Sequence, residues 1–472
     1  MTIEQIYTGC LAQGAYYIES EGEAAVIDPL RDPQPYLQKA LDRKAKIKYV
    51  FETHFHADFV SGHVDLAKAS GAQIVYGPTQ IKTGFEALIA KEGQIFNIGK
   101  LKLEVLHTPG HTMESACYLL YDDDGKPHSL FTGDTLFIGD VGRPDLAQHV
   151  IAELTQEKLA GHLFDSLRNK IMPLPDHLIV YPGHGAGSAC GKKMSSETQD
   201  TLGHQKAGNY ALRPDLTKEE FVREVLDGLT QPPSYFPKNV LMNMKGYKSF
   251  EEVMQQGISA LNPLEFKSIA LAKGALIVDT RHPDVFRKEF IPGSINIGLD
   301  GNFAVWAGTL IPDIEQPILI VAEEGREKEV VSRLSRVGYD HTIGYLKGGI
   351  EAWKNSGLET DFIASVSAAE FSKTALELPE TSVLDVRRKA EFEAGHLTNA
   401  SNIPLDYINQ NMEKIERNKP VFVHCAGGYR SVIFISILQA RGFRNFINVE
   451  GGFLSIQSVG KLKSVTEKVE VV

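Results

Sequence analysis

The chain is poor in cysteine, in long apolar runs and in positive charge, and each shortage removes a class of protein. Its four cysteines, Cys10, Cys117, Cys190 and Cys425, are scattered over 472 residues and form no disulfide framework. A reducing cytoplasm is the expected compartment, where a surviving cysteine is reactive or buried rather than bridged. No apolar run approaches the roughly 20 residues that cross a bilayer, so no membrane partner is expected. The opening MTIEQIYTGCLAQ lacks a basic stretch followed by an apolar core, and no secretory signal is read from it. A net charge of −11 argues against nucleic acid, which is held by neutralising phosphates. What remains is an ordinary globular composition, 43% hydrophobic and 23% charged, in a chain long enough for two or three domains.

The first informative stretch is Thr53–His63, THFHADFVSGH, which comes after the strand-like run Ile47–Phe51. It supplies His54, His56, Asp58 and His63, and alternate residues on an extended backbone point the same way, so His54, His56 and Asp58 can converge on one ion. Imidazole with carboxylate suits zinc, iron or manganese. Three further turns recur at strand ends downstream: HTPGHT with His107 and His111, FTGDT with Asp134, and YPGHG with His184. Short strands around Ile3–Tyr7, Ala15–Ile18 and Ala24–Ile27 come first, and Leu101–His107 alternates as a half-buried strand. A Gly/Pro-rich loop, FIGDVGRPDL, comes after Asp134, and helical periodicity is predicted from Val150 to Arg168.

In that order and spacing, THFHAD, HTPGHT, TGDT and PGHG, with Asp28 in the early AVIDP turn, resemble the metallo-β-lactamase fold over roughly residues 1–235. The resemblance implies an αββα sandwich, but not one reaction, because this fold hosts hydrolases, oxygenases and oxidoreductases.

Gln231–Lys245, with three prolines, reads as a linker packed on the first domain, and 236–261 as the connection to the second half of the chain. An internal repeat lies beyond it. ALIVDTR (275–281) matches SVLDVR (382–387), PILIV (317–321) matches PVFVH (420–424), and YLKGGIEAW matches NVEGGFLSI. The offset of about 100 residues suits whole domains rather than solenoid units of about 20–50. Each copy alternates buried strands with helices, as a small parallel sheet requires.

In the second copy the strand Val421–His424 ends at Cys425 in HCAGGYRSV, and a helix comes next. Strand, Gly-rich turn and helix start make a cup of backbone N–H groups that favours an anion and holds a cysteine as the thiolate. Gly427 and Gly428 shape the cup, and Arg430 adds forked donors for an oxyanion such as sulfite or thiosulfate. This copy is similar to the rhodanese family over about residues 364–460. Four residues separate Cys425 from Arg430, where related phosphatase loops carry five; the shorter loop suits a sulfur atom on the cysteine. In the first copy Ala322 stands where Cys425 does, and Glu323 and Glu324 are expected in the cup, where they would repel an anion. The chain therefore divides into 1–235, a connection 236–261, an inactive rhodanese-like domain 262–357 and an active one 358–472.

Phe59 narrows the chemistry of the first domain. Binuclear hydrolases of this fold, such as glyoxalase II, carry a histidine there, and phenylalanine binds no metal. The alternative within the family is the persulfide dioxygenases, and the resemblance implies one Fe(II) held by His56, His111 and Asp134, with zinc as the alternative metal. His54, Asp58 and His184 then become surrounding or weak ligands. The GDVGRPD loop is similar too, and Arg143 is read as orienting that loop or binding a substrate anion. Cys190 is either an accessory thiol or an inert loop cysteine. The whole arrangement resembles the fused persulfide dioxygenase–sulfurtransferases of bacterial sulfide detoxification, which implies a thiol persulfide, O₂ and sulfite as partners and a homo-oligomer. Two other readings stay open: a zinc thioester hydrolase with appended rhodaneses, and a sulfur-carrier scaffold.

Overall fold

The computed structural model describes residues 1–146 and 154–466. The chain divides into two compact units, Met1–Glu252 with Ser335–Gly338, and Val253–Leu334 with Tyr339–Val472. Among the described residues no helix is long and apolar enough to cross a membrane.

The first unit stacks two six-stranded sheets. One runs in the order Thr2–Thr8, Gln13–Ser20, Glu23–Ile27, Lys46–Glu52, Gln73–Tyr76, Leu88–Ile89. The other runs Asp200–Thr201, Ile179–Pro182, Pro127–Gly133, Ala116–Tyr121, Leu101–His107, Ile95–Ile98. Side-chain alternation decides what lies between them. Leu101, Leu103 and Val105 point into the shared core with Phe51, Tyr118, Phe131 and Tyr181, while Lys102 stays in water. On the strand Ala116–Tyr121, Tyr118 and Leu120 join that core, whereas Cys117 and Leu119 face the outer helices. Each large side chain so buried contributes roughly 1.5–3 kcal/mol. Helices Gln34–Asp42 and His63–Ser70 cover one outer face, and Gln156–Ser166 and Lys218–Leu226 the other, completing the αββα sandwich. Of the helix expected from Val150 to Arg168, residues 150–153 lie outside the described residues. It runs Gln156–Ser166 and closes in a wide turn, Leu167–Ile171, with Thr155 capping its start through a bond from Lys158 N.

The stretch expected as a linker is instead helical, at Phe236–Lys245 and Phe250–Gly257. Pro237 does not block the first helix, because a proline in the opening turn loses only an N–H that has no partner there.

The second unit holds two parallel five-stranded sheets of the same strand order. The first runs Ala260–Leu261, Thr342–Leu346, Ile318–Val321, Leu276–Asp279, Ile295–Asn296, and the second Ser365–Val366, Phe446–Val449, Val421–His424, Ser382–Asp385, Ala400–Asn402. The internal repeat of the sequence is thus a repeat of folded domains.

Candidate metal centre and cysteine cup

Four strand ends of the first unit deliver the polar groups. Lys46–Glu52 leads into the loop carrying His54, His56 and Asp58. His111 lies on the turn after Leu101–His107, Asp134 comes after Pro127–Gly133, and His184 after Ile179–Pro182. All six are buried. Close approach at this junction demands glycine: a Cβ at Gly183 would lie 2.6 Å from Asp134 Oδ1, and one at Gly142 2.0 Å from Asp134 O.

His54, His111 and Asp134 come together, with His54 Nε2 and His111 Nε2 at 4.0 and 3.5 Å from Asp134 Oδ2. Ligand atoms bound at about 2.0–2.2 Å to one ion lie roughly this far apart. Both rings are held by their other nitrogen: His111 Nδ1 donates to Arg143 O at 2.8 Å, and His54 Nδ1 to Thr53 Oγ1 at 3.0 Å. That leaves each Nε2 as a lone pair aimed inward. Thr53 is fixed in turn by Asp28, which accepts from its N–H and its hydroxyl, both at 2.8 Å. Asp134 Oδ1 accepts from His184 Nδ1 at 2.8 Å, while Oδ2 is buried without a hydrogen-bond partner among the described residues. Burial pushes the Asp134 carboxyl up, but the imidazoles of His184, His111 and His54 outweigh it and hold the group well below the usual range. The residues present fit a metal ion.

His56 is not one of the three, contrary to the sequence expectation, and His54 stands in its place. His56 Nε2 turns to Asp28 Oδ1 at 3.0 Å and Glu52 Oε2 at 3.5 Å. Two carboxylates buried beneath the loop draw the imidazole toward them and away from the centre. Burial alone would push its proton off, but Asp28 and Glu52 hold it on. Glu52 itself is pushed up to about 7 by burial. Phe59 is buried against the back of His56, ring centroids 4.3 Å apart.

Asp58 and His184 form a second group with Cys190, their ligand atoms all within 4.8 Å of one another. His184 Nε2 lies 2.7 Å from Asp58 Oδ2. Cys190 is buried, and burial together with the nearby Asp58 and Asp134 pushes its thiol well up. Arg143 is engaged by the protein itself. Its guanidinium is buried and spent on Asp145 at 2.7 Å, on Ala189 O and on Thr230 O, and its N–H donates to Cys190 O. These contacts tie Arg143 to its own loop, to the Cys190 loop and to Thr230.

Asn243, which no sequence motif marks, clamps the metal loop from the helix Phe236–Lys245. Fully buried, it accepts from Ser61 N at 2.9 Å and donates to His56 O and Phe59 O at 2.8 Å. Losing it strands three buried backbone groups, each worth about 1–3 kcal/mol. No local pattern signals a contact this distant in sequence. Beside His111 opens an apolar cavity lined by Phe55, Ile81, Met113, Leu146, Val240 and Met244.

In the second unit Cys425 ends its strand buried in the cup. Gly428 N donates to its sulfur at 3.1 Å, and the thiol lies 3.8 Å from Ser431 Oγ. Gly428 takes φ 100° at the helix start, and Gly427 is exposed beside it. The EGG turn props the loop: Phe453 N donates to Cys425 O at 2.7 Å, and a Cβ on Gly452 would strike that oxygen at 2.4 Å. Arg430 is not a free charge. It makes a bidentate pair with Glu391 at 2.6 and 2.7 Å, which uses two of its five N–H donors. Tyr429 OH reaches the first copy, donating to Gly298 O at 2.9 Å. In that copy Glu323 and Glu324 are exposed rather than inside the cup, with Glu323 drawn toward Arg326 at 3.8 Å.

Comparison with known proteins finds two families along the chain. Residues 8–184 match the metallo-beta-lactamase superfamily, and 262–356 and 367–458 each match the rhodanese-like domain. A solved metallo-beta-lactamase from Staphylococcus aureus is 32% identical with a TM-score of 0.64, covering 73% of this chain and 98% of its own. A probable hydroxyacylglutathione hydrolase of Schizosaccharomyces pombe is 32% identical over 169 residues, 35% of this chain and 60% of that protein. A hydroxyacylglutathione hydrolase of a Polaromonas species is 32% identical over 192 residues, 39% of this chain and 66% of its own. The chain thus spans about three-fifths to two-thirds of those two hydrolases. It belongs to the metallo-β-lactamase superfamily, with two rhodanese-like domains after the metallo-β-lactamase domain.

Proposed function

We propose that the chain is a persulfide dioxygenase coupled to a sulfurtransferase. It oxidises a thiol persulfide to sulfite and converts the sulfite to thiosulfate, in a sulfide-detoxifying role in the cytoplasm. One observation carries the reading: a three-ligand centre and a cysteine cup built for sulfur lie on one chain, and the position of a further ligand holds the buried Phe59. His54, His111 and Asp134 would hold a single iron and leave open positions on one side. When bound, that iron supplies the redox chemistry between a persulfide sulfur and O₂. The balance is R–S–SH + O₂ + H₂O → R–SH + SO₃²⁻ + 2H⁺.

The chain's own residues do the rest. The apolar wall beside His111 keeps bulk water off the sulfur, while Thr53 and the Arg143 carbonyl fix the two imidazoles. At the second site the Cys425 thiolate attacks the outer sulfur of a persulfide: Cys425–S⁻ + R–S–SH → Cys425–S–S⁻ + R–SH. Sulfite then takes that sulfur, Cys425–S–S⁻ + SO₃²⁻ → Cys425–S⁻ + S₂O₃²⁻. The Gly428 N–H stabilises sulfur anion at both stages.

The hydrolase reading is favoured by a specific feature, the Asp58, His184 and Cys190 group, which offers ligands for a second ion. Metal content with turnover separates the two. The dioxygenase reading expects one iron per chain and O₂ uptake on a persulfide, and His54→Ala should remove both while leaving transfer by Cys425 intact. Two zinc ions per chain with thioester hydrolysis would overturn it.

A further inference from the structure

The cavity beside His111 contains one charge that holding the metal does not explain. Glu114 lines it, in the same turn as His111 and three residues further on, and is 5% exposed. Its Oε1 accepts one hydrogen bond, from Phe55 N at 3.0 Å, and no cation pairs with it among the described residues. A carboxylate accepts about four hydrogen bonds, and one buried in an apolar wall without a positive partner is costly. A glutamine would accept the Phe55 N–H equally well, so the backbone bond does not account for the charge.

We infer that Glu114 is the specificity determinant of the oxidation site, receiving the protonated amine of an aminothiol persulfide. The inference rests on the persulfide reading and narrows the choice of carrier thiol. Glu114 and His111 line one cavity, and His111 belongs with His54 and Asp134, so a ligand with its sulfur at that group would extend into the cavity that Glu114 lines. A primary ammonium two carbons from sulfur, as in cysteine-type thiols with a free amine, meets the carboxylate as a charge-assisted hydrogen bond. A thiol whose amine is acylated, peptide-like or pantetheine-like, offers a neutral amide N–H and gains less. The surrounding methionines and aliphatic residues strengthen the discrimination, since they offer an unpaired ammonium or carboxylate few polar partners.

The test uses the metal-loaded full chain with cysteine persulfide and N-acetylcysteine persulfide, which differ in that amine. Wild type should favour the free amine in kcat/KM by roughly 10- to 100-fold, the range of a charge-assisted bond. Glu114→Gln should bring the ratio to within about threefold, and Glu114→Asp should restore part of it. Calorimetric binding of the parent thiols, cysteine against N-acetylcysteine, provides a readout independent of turnover and should show the same preference and the same loss. If Glu114 merely balances the charge of the metal centre, Glu114→Gln will change metal affinity and leave the amine ratio intact, which overturns the inference. A wild-type preference for the acetylated thiol overturns it as well. Absence of O₂ uptake on either persulfide would instead defeat the dioxygenase reading, and the binding preference would still decide the role of Glu114.

Discussion

The two rhodanese-like copies share one scaffold and differ in the residue that ends the central strand, Ala322 in one and Cys425 in the other. In each, an aspartate closing a strand pairs with an arginine two residues on: Asp279 Oδ2 with Arg281 and Asp385 Oδ2 with Arg387, both at 2.6 Å. In each, an asparagine bridges the same two carbonyls, Asn296 at 3.0 Å and Asn402 at 2.9 Å. The sheets share one strand order. What differs is the loop after the central strand, AEEGRE against CAGGYR. The ion pairs, asparagine bridges and strands belong to the shared scaffold, and the six-residue loop can change while the scaffold stays. The Cys425 loop leans on the other copy, since Tyr429 donates to Gly298 O.

The sharpest way to break the comparison is Cys425→Ser, which should make the two copies equal. Sulfane adduct on the second copy, read by mass spectrometry after persulfide treatment, should vanish and sulfur transfer fall by roughly 10³-fold or more. Next comes the glycine prop. Gly452→Ala drives a Cβ to 2.4 Å from Cys425 O at φ 59°, whereas at Gly349 the nearest atom, Ala322 O, is 4.0 Å away. Gly452→Ala should cost about 1–3 kcal/mol in chemical denaturation and slow transfer, whereas Gly349→Ala should leave transfer unchanged. Arg430→Ala should slow transfer by roughly 10- to 100-fold, because it removes an anion contact and strands Glu391 but spares the nucleophile. The smallest effect is expected from Ala322→Cys. A thiol there has no arginine at the position of Arg430, where Glu327 stands, so residues 262–357 should carry no sulfane adduct.

Much of this architecture is legible in the sequence because motif order and the domain repeat survive as linear patterns. The αββα sandwich, the strand-end turns and the degenerate cup can all be read from them. What the linear pattern does not carry is the direction in which a loop turns. His54 and His56 are equivalent on an extended strand, and only the buried pair Asp28 and Glu52 beneath the loop separates them. Glu52 reads as an ordinary strand-end residue, and its partner His56 comes four positions later. Arg430 reads as a free positive charge because its partner, Glu391, lies 39 residues away, whereas the ion-pair partner of Arg143, Asp145, is two residues on and still escapes a reading by motif alone. Asn243 belongs to the same class, 187 residues from the His56 carbonyl it holds. The Pro-rich stretch before it reads as a linker until its helix is seen against the metal loop.

On the proposed function, two sites on one chain act in sequence, the first making sulfite and the second consuming it. The most direct measurement is the product ratio from persulfide and O₂, wild type against Cys425→Ser, with sulfite and thiosulfate quantified in the same reaction. Wild type should release mainly thiosulfate, and the variant mainly sulfite at nearly unchanged O₂ consumption. Thiosulfate from Cys425→Ser at the wild-type ratio would contradict the account.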